Sequence, residues 1–222
     1  RNLDVLIKYR NDKRYLSVGN MLDKENKAIY GLEFSYETIP NELNLFDYDA
    51  FKAYKGDFYC VVTNLLTCEA EYMKYTGEDR TNTVLKATCA LPMLFPPIII
   101  NDTPYMDGGL TDSIPFMRAL EDGCDRVLVV LTREAGYTKT TSTSTKAIAR
   151  YYEKEYPKLS EVMLSRAERY NECLKQLKEY EDSGKVMVIR PAVSKGFSRL
   201  EKDKNKILSM YNDGYNQGYT LT

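Results

Sequence analysis

The 222 residues carry 31 Lys and Arg against 32 Asp and Glu, so bulk electrostatics gives no reason to expect nucleic-acid binding. The length suits one substantial α/β domain, and no apolar run approaches the roughly 18 residues that span a bilayer. Histidine is absent, which excludes Ser-His-Asp and Cys-His catalysis and His-containing zinc sites within these residues.

Leu3 to Tyr9 is a short apolar run that fits either a strand or a helix end. Residues 11–30 are polar and rich in turn formers. Leu32–Ile39 and Tyr48–Tyr54 have the spacing of short amphipathic helices on either side of Pro40. Phe58–Thr63 is dense in aromatic and β-branched residues, and Glu69–Tyr75 alternates, so the two predict a hairpin turning at Asn64–Thr67. Asn82–Leu91 suits a helix that stops before Pro92. Ile98–Ile100 and Thr103–Met106 flank Asn101–Asp102, a pair suited to a tight turn.

Asp112–Leu120 reads as a helix with Asp112 as its N-cap, Pro115 in its first turn and Gly123 beyond its end. Arg126–Leu131 is continuously apolar, the pattern of an interior parallel strand, and with the preceding strand and helix it predicts a βαβ unit. Thr138–Thr145 is a polar tract, so a mobile loop is expected over about 134–146. Leu159, Met163, Ala167, Tyr170, Leu174, Leu177 and Tyr180 recur at helical spacing until Gly184, within an expected helical segment over 147–182. Val186–Ile189 gives a closing strand and Leu200–Tyr211 a last helix. The expectation is a single α/β domain over 1–222.

Cys60, Cys68, Cys89, Cys124 and Cys173 are odd in number, form no C-x-x-C pair and lie mostly among apolar neighbours. Buried free thiols in a reducing, cytoplasmic compartment are the expectation. Nineteen tyrosines without a tryptophan leave two readings open, a lipid-facing surface or ordinary half-buried positions.

The chemistry concentrates in Ala87-Thr-Cys-Ala-Leu-Pro92-Met-Leu-Phe95-Pro-Pro97 and Tyr105-Met-Asp107-Gly108-Gly109-Leu-Thr-Asp112-Ser-Ile-Pro115. Asp107 ends an apolar strand, and the two glycines permit a turn through conformations closed to other residues. A carboxylate with an ordinary pKa near ~4 is a weak base in water. It serves as one when it is partly desolvated and bonded to a hydroxyl whose oxyanion is stabilised elsewhere. Asp-Gly is also common in plain turns, and Asp107 read alone could be only that. Asp112 beside it could form a Mg²⁺-binding pair of a phosphatase, although an N-cap role accounts for it more simply.

The order and spacing of Ala87, Ala90, Pro92, Phe95, Pro97, Asp107, Gly108, Gly109, Asp112 and Pro115 resemble the patatin-like acyl hydrolases. Val186–Pro191 and Tyr211–Tyr215 are similar to that family's closing segments. The resemblance implies a three-layer α/β/α fold with a mostly parallel central sheet. It implies a Ser–Asp dyad hydrolysing lipid esters, with phospholipids or lysophospholipids as substrates, transient membrane-surface contact, and no metal or cofactor. By it Asp107 is the catalytic base, and Gly108 and Gly109 shape its turn. Neither G-x-S-x-G nor a glycine-rich oxyanion loop occurs in the 222 residues. Both precede the Asp motif in the family, and the sequence opens at Arg1. The expectation is therefore an N-terminal segment outside this sequence that carries the nucleophile. The alternative is a non-catalytic lipid- or partner-binding module.

Overall fold

The computed structural model describes residues 2–24, 26, 28–198 and 201–220. Its Cα framework divides into two compact units. One holds Lys8–Ser113 and Thr141–Arg166, and the other holds Ile114–Thr140 and Ala167–Thr222 with the first residues up to Ile7. The open choice at the start resolves as a helix, α1 (Asn2–Tyr9).

In the first unit a four-stranded sheet runs β2-β1-β4-β3, with β1 Tyr59–Asn64, β2 Ala70–Lys74, β3 Ile98–Ile100 and β4 Thr103–Asp107. Every pairing in it is antiparallel. This corrects the expectation of a mostly parallel main sheet. The cause is local: β1 and β2 are joined by one tight turn and β3 and β4 by another, and connections that short permit only antiparallel neighbours. Asn64 makes the first turn by accepting the amide protons of Leu66 and Thr67 on its side chain. Asn101 and Asp102, with φ of 48° and 63°, make the second as expected. β4 was to open a βαβ unit, but β1 and β3 occupy its two edges.

Successive β4 side chains enter different clusters. Tyr105 packs with Val62 and Ala87, the latter on α3 (Thr83–Thr88). Met106 packs with Leu65, Leu110, Ala149 and Tyr152 of α5 (Thr143–Tyr152), and Leu159 and Met163 of α6 (Pro157–Asp182). Met106, Val62 and Leu159 are fully buried, each stabilising the fold by about 1.5–3 kcal/mol. The strand carrying Asp107 is therefore fixed on both sides.

Of the two helices expected on either side of Pro40, the second is present as α2 (Tyr48–Ala53), whereas the first is a π-helix, Phe34–Leu43, that runs through the proline. Pro40 has no N–H to give a regular helix, and the wider turn closes with Asn44 N–H donating to Ile39 C=O. α3 starts after Asn82, whose left-handed backbone (φ 55°) is held by its buried side chain. That amide donates to Tyr36 C=O at 2.6 Å and accepts from the Tyr75 hydroxyl. The loop expected over 134–146 is shorter, because the Ser142 hydroxyl caps α5 by accepting Thr145 N–H at 3.1 Å.

In the second unit α4 is Phe116–Glu121, with Pro115 at its cap. Asp112 is not its N-cap; its carboxylate accepts the Tyr72 hydroxyl at 2.6 Å in the first unit. β5 (Val127–Val130) pairs in parallel with β6 (Val186–Ile189). The parallel direction is as expected, but β5 is not interior: Leu128 and Val130 are exposed in a two-stranded sheet. The latter part of α6 contributes Tyr170 and Leu177 to a core with Phe116, Val129 and Val186. α7 runs Lys204–Tyr219 from an Asp203 N-cap, and Leu200, where this helix was expected to begin, lies outside the described residues. Tyr211, Tyr215 and Tyr219 stack along α7 and are exposed. No helix among the described residues is long and apolar enough to cross a membrane.

Candidate active site

Asp107 is the last residue of β4 and pairs with Val62 of β1. The next three residues, Gly108–Leu110, form one 3₁₀ turn. Asp107 caps that turn itself, Oδ1 accepting Gly109 N–H at 2.7 Å. Its main chain is tied at both ends: its N–H donates to Ala90 C=O at 3.0 Å, and its C=O accepts the Thr63 hydroxyl at 2.9 Å. The side chain is half-buried, so one carboxylate oxygen has a fixed direction before any substrate arrives.

The two glycines are required for space. Neither Gly108 nor Gly109 is among the residues with positive φ, which corrects the conformational reason expected for them. A Cβ on Gly108 would lie 2.2 Å from the Val61 carbonyl oxygen, so the turn passes directly over β1. A Cβ on Gly109 would lie 2.9 Å from Asp107 Oδ1 and 3.2 Å from Arg166 Nη2. Gly109 thus leaves room for a carboxylate and a guanidinium on one side of the turn.

The Ala87–Pro97 stretch reaches this site through its backbone. Ala87 and Ala90 are fully buried, which explains the small residues there. The Thr88 hydroxyl donates to Val61 C=O at 2.6 Å, and Ala90 supplies the carbonyl bonded to Asp107. Phe95 is buried and stacks on Tyr30 at 5.6 Å. Between these anchors Cys89 is exposed, as is Cys124, whereas buried thiols were expected. Desolvation of the Cys89 sulfur pushes the thiol pKa up, a Tyr36 hydrogen bond partly opposes the rise, and the Asp107 charge adds to it. Burial likewise raises Tyr36 well above the usual phenol range.

Three participants carried no signal in the sequence. Thr63 holds the Asp107 carbonyl and also bonds the Thr111 hydroxyl at 2.8 Å. Ser113 Oγ donates to Gly109 C=O at 2.7 Å. Arg166 Nε donates to the same carbonyl at 2.5 Å from a position 57 residues away.

A family model described as patatin-like phospholipase matches residues 8–120, which include Ala87–Pro97, Asp107, Gly108 and Gly109. A second model, described as a domain of unknown function (DUF6363), matches residues 156–221. No curated protein matches the chain. With the first model covering just over half of the sequence, the chain belongs to the patatin-like phospholipase family, at family level a group of lipid acyl hydrolases.

Proposed function

We propose that this chain supplies the general base of a Ser–Asp acyl hydrolase acting on lipid esters, with phospholipids and lysophospholipids as the substrate class. The observation that carries the reading is Asp107 at a strand end, oriented by the Gly109 amide, inside the segment matched by the patatin-like model. The nucleophilic serine and the oxyanion loop lie N-terminal to these 222 residues, since neither motif occurs within them. The reading takes residues 1–222 as one patatin-like α/β domain.

Asp107 accepts the serine proton as the hydroxyl oxygen attacks the ester carbonyl. Collapse of the tetrahedral intermediate breaks the bond to the alcohol, which leaves with that proton. Asp107 then takes a proton from water as the water oxygen attacks the acyl-serine, and returns it to the departing serine oxygen. The fatty acid is released and the enzyme restored. No metal or cofactor enters the sequence of steps. Five cysteines outside any disulfide among the described residues fit a cytoplasmic location. The exposed Tyr211, Tyr215 and Tyr219 fit transient contact with a lipid surface.

The test is fatty-acid release from phospholipid vesicles by the complete gene product. Wild type should hydrolyse the lipid with or without EDTA, and Asp107→Asn should not. A second reading, a non-catalytic lipid-binding module, is favoured only by the missing G-x-S-x-G. Vesicle binding without fatty-acid release would establish it.

A further inference from the structure

We propose that Arg166 is a positioning residue for the Asp107 base, so that the segment matched as a domain of unknown function takes part in the chemistry. The inference rests on the acyl-hydrolase reading above. Arg166 lies on α6, within residues 156–221 and outside the patatin-like match. It belongs to the same compact unit as Asp107.

The geometry involves both peptide groups of Gly109. The N–H on one side is given to Asp107 Oδ1 at 2.7 Å. The C=O on the other side accepts Arg166 Nε at 2.5 Å and Ser113 Oγ at 2.7 Å. Arg166 therefore fixes the turn whose amide orients the carboxylate. The guanidinium is also close to that carboxylate, because Arg166 Nη2 and Asp107 Oδ1 lie 3.2 and 2.9 Å from one point, the place of a Cβ on Gly109. Cys89 on the α3 side and Arg166 on the α6 side are the titratable groups these contacts set beside Asp107.

Two consequences separate. A nearby cation favours the ionised carboxylate, the form that accepts a proton. A planar guanidinium can also donate Nε to the carbonyl while Nη2 faces the carboxylate, which a lysine ammonium cannot reproduce. Charge and geometry can thus be removed one at a time.

The experiment measures the pH dependence of kcat/KM in the complete gene product for wild type, Arg166→Gln and Arg166→Lys, each checked for an unchanged far-UV spectrum. Arg166→Gln should move the acid limb to higher pH, so that its activity relative to wild type is about tenfold lower at pH 5 than at pH 8. Arg166→Lys should keep the limb in place and lower kcat with little change in KM. In parallel, ¹³C NMR titration of the Asp107 carboxyl, identified by its loss in Asp107→Asn, reads the same coupling without turnover. A higher midpoint in Arg166→Gln supports the proposal even if wild type releases no fatty acid, an outcome that would defeat only the hydrolase reading. Coincident acid limbs, or coincident midpoints, in wild type and Arg166→Gln would overturn it and leave Arg166 a purely structural tie.

Discussion

Asp107 Oδ1 and the Gly109 amide are joined at 2.7 Å across a single intervening residue. The candidate base is thus oriented by its own turn, and anything that deforms the turn redirects the base. Asn keeps an oxygen in the place of Oδ1 and loses only the ability to take a proton. Asp107→Asn should therefore fold with a nearly unchanged Tm while hydrolysis falls by about 10²–10⁴-fold, the usual contribution of a positioned base. Asp107→Ala should lose the same activity and in addition about 1 kcal/mol of stability with its capping contact. Thermal melts beside ester-hydrolysis rates separate the two substitutions.

Adjacent glycines should answer differently to the same substitution. The Cβ of Gly108→Ala meets the Val61 carbonyl carbon and oxygen of β1 at 2.4 and 2.2 Å, and backbone cannot move aside cheaply. A loss of about 3 kcal/mol or an insoluble product is expected. The Cβ of Gly109→Ala meets the ends of two side chains, Asp107 and Arg166, which can swing away. This variant should fold with near-normal stability and lose activity because the carboxylate has moved. Urea midpoints and kcat measured on both variants test the contrast.

Cys89 offers a chemical reporter of the same site. It is exposed, with Cys124 the other exposed thiol, and Asp107's charge contributes to its raised pKa. In a Cys124→Ser background, Asp107→Asn should speed the reaction of Cys89 with a thiol reagent at neutral pH, since less opposing charge leaves more thiolate. A bulky adduct on Cys89 should block hydrolysis, and Cys89→Ser should be immune to the reagent. Equal labelling rates with and without the Asp107 charge would contradict the placement.

Asp79 governs how the helix leading to this site responds to acid. Burial acts to raise its pKa, but hydrogen bonds from Thr81 and Thr83 prevail and hold it at about 2. It accepts Thr83 N–H at 2.8 Å at the entry to α3. A depressed carboxyl pKa contributes stability above its ordinary value near ~4, and that contribution disappears as pH falls through the folded value. Asp79→Asn should therefore flatten the loss of stability between pH 4 and 2, as read from urea midpoints across that range.

What the sequence revealed, and what it concealed, follows from the range of the forces involved. The hairpin at Asn64, the turn at Asn101–Asp102, the long α6 and the strand 186–189 depend on short-range chemistry and were readable. The motif from Ala87 to Asp107 was readable too, because its residues are small, cyclic or acidic for reasons local to the turn. The β1–β4 pairing, which joins the two hairpins into one antiparallel sheet, was missed because an apolar strand such as β4 carries no mark of a partner about forty residues earlier. Asp112 is an ordinary N-cap by spacing, and only the fold brings it to Tyr72. Arg166 was missed for the same reason: on a helix with one apolar stripe it is just another polar position until α6 is set against Gly109.

The central claim, that Asp107 serves a serine in acyl transfer, is tested most directly by intact mass spectrometry of the complete gene product after treatment with a fluorophosphonate probe. One adduct should form on a serine in a G-x-S-x-G segment, at a rate that drops sharply in Asp107→Asn. A complete gene product that remains unlabelled, or that labels equally fast without the Asp107 carboxylate, would contradict it.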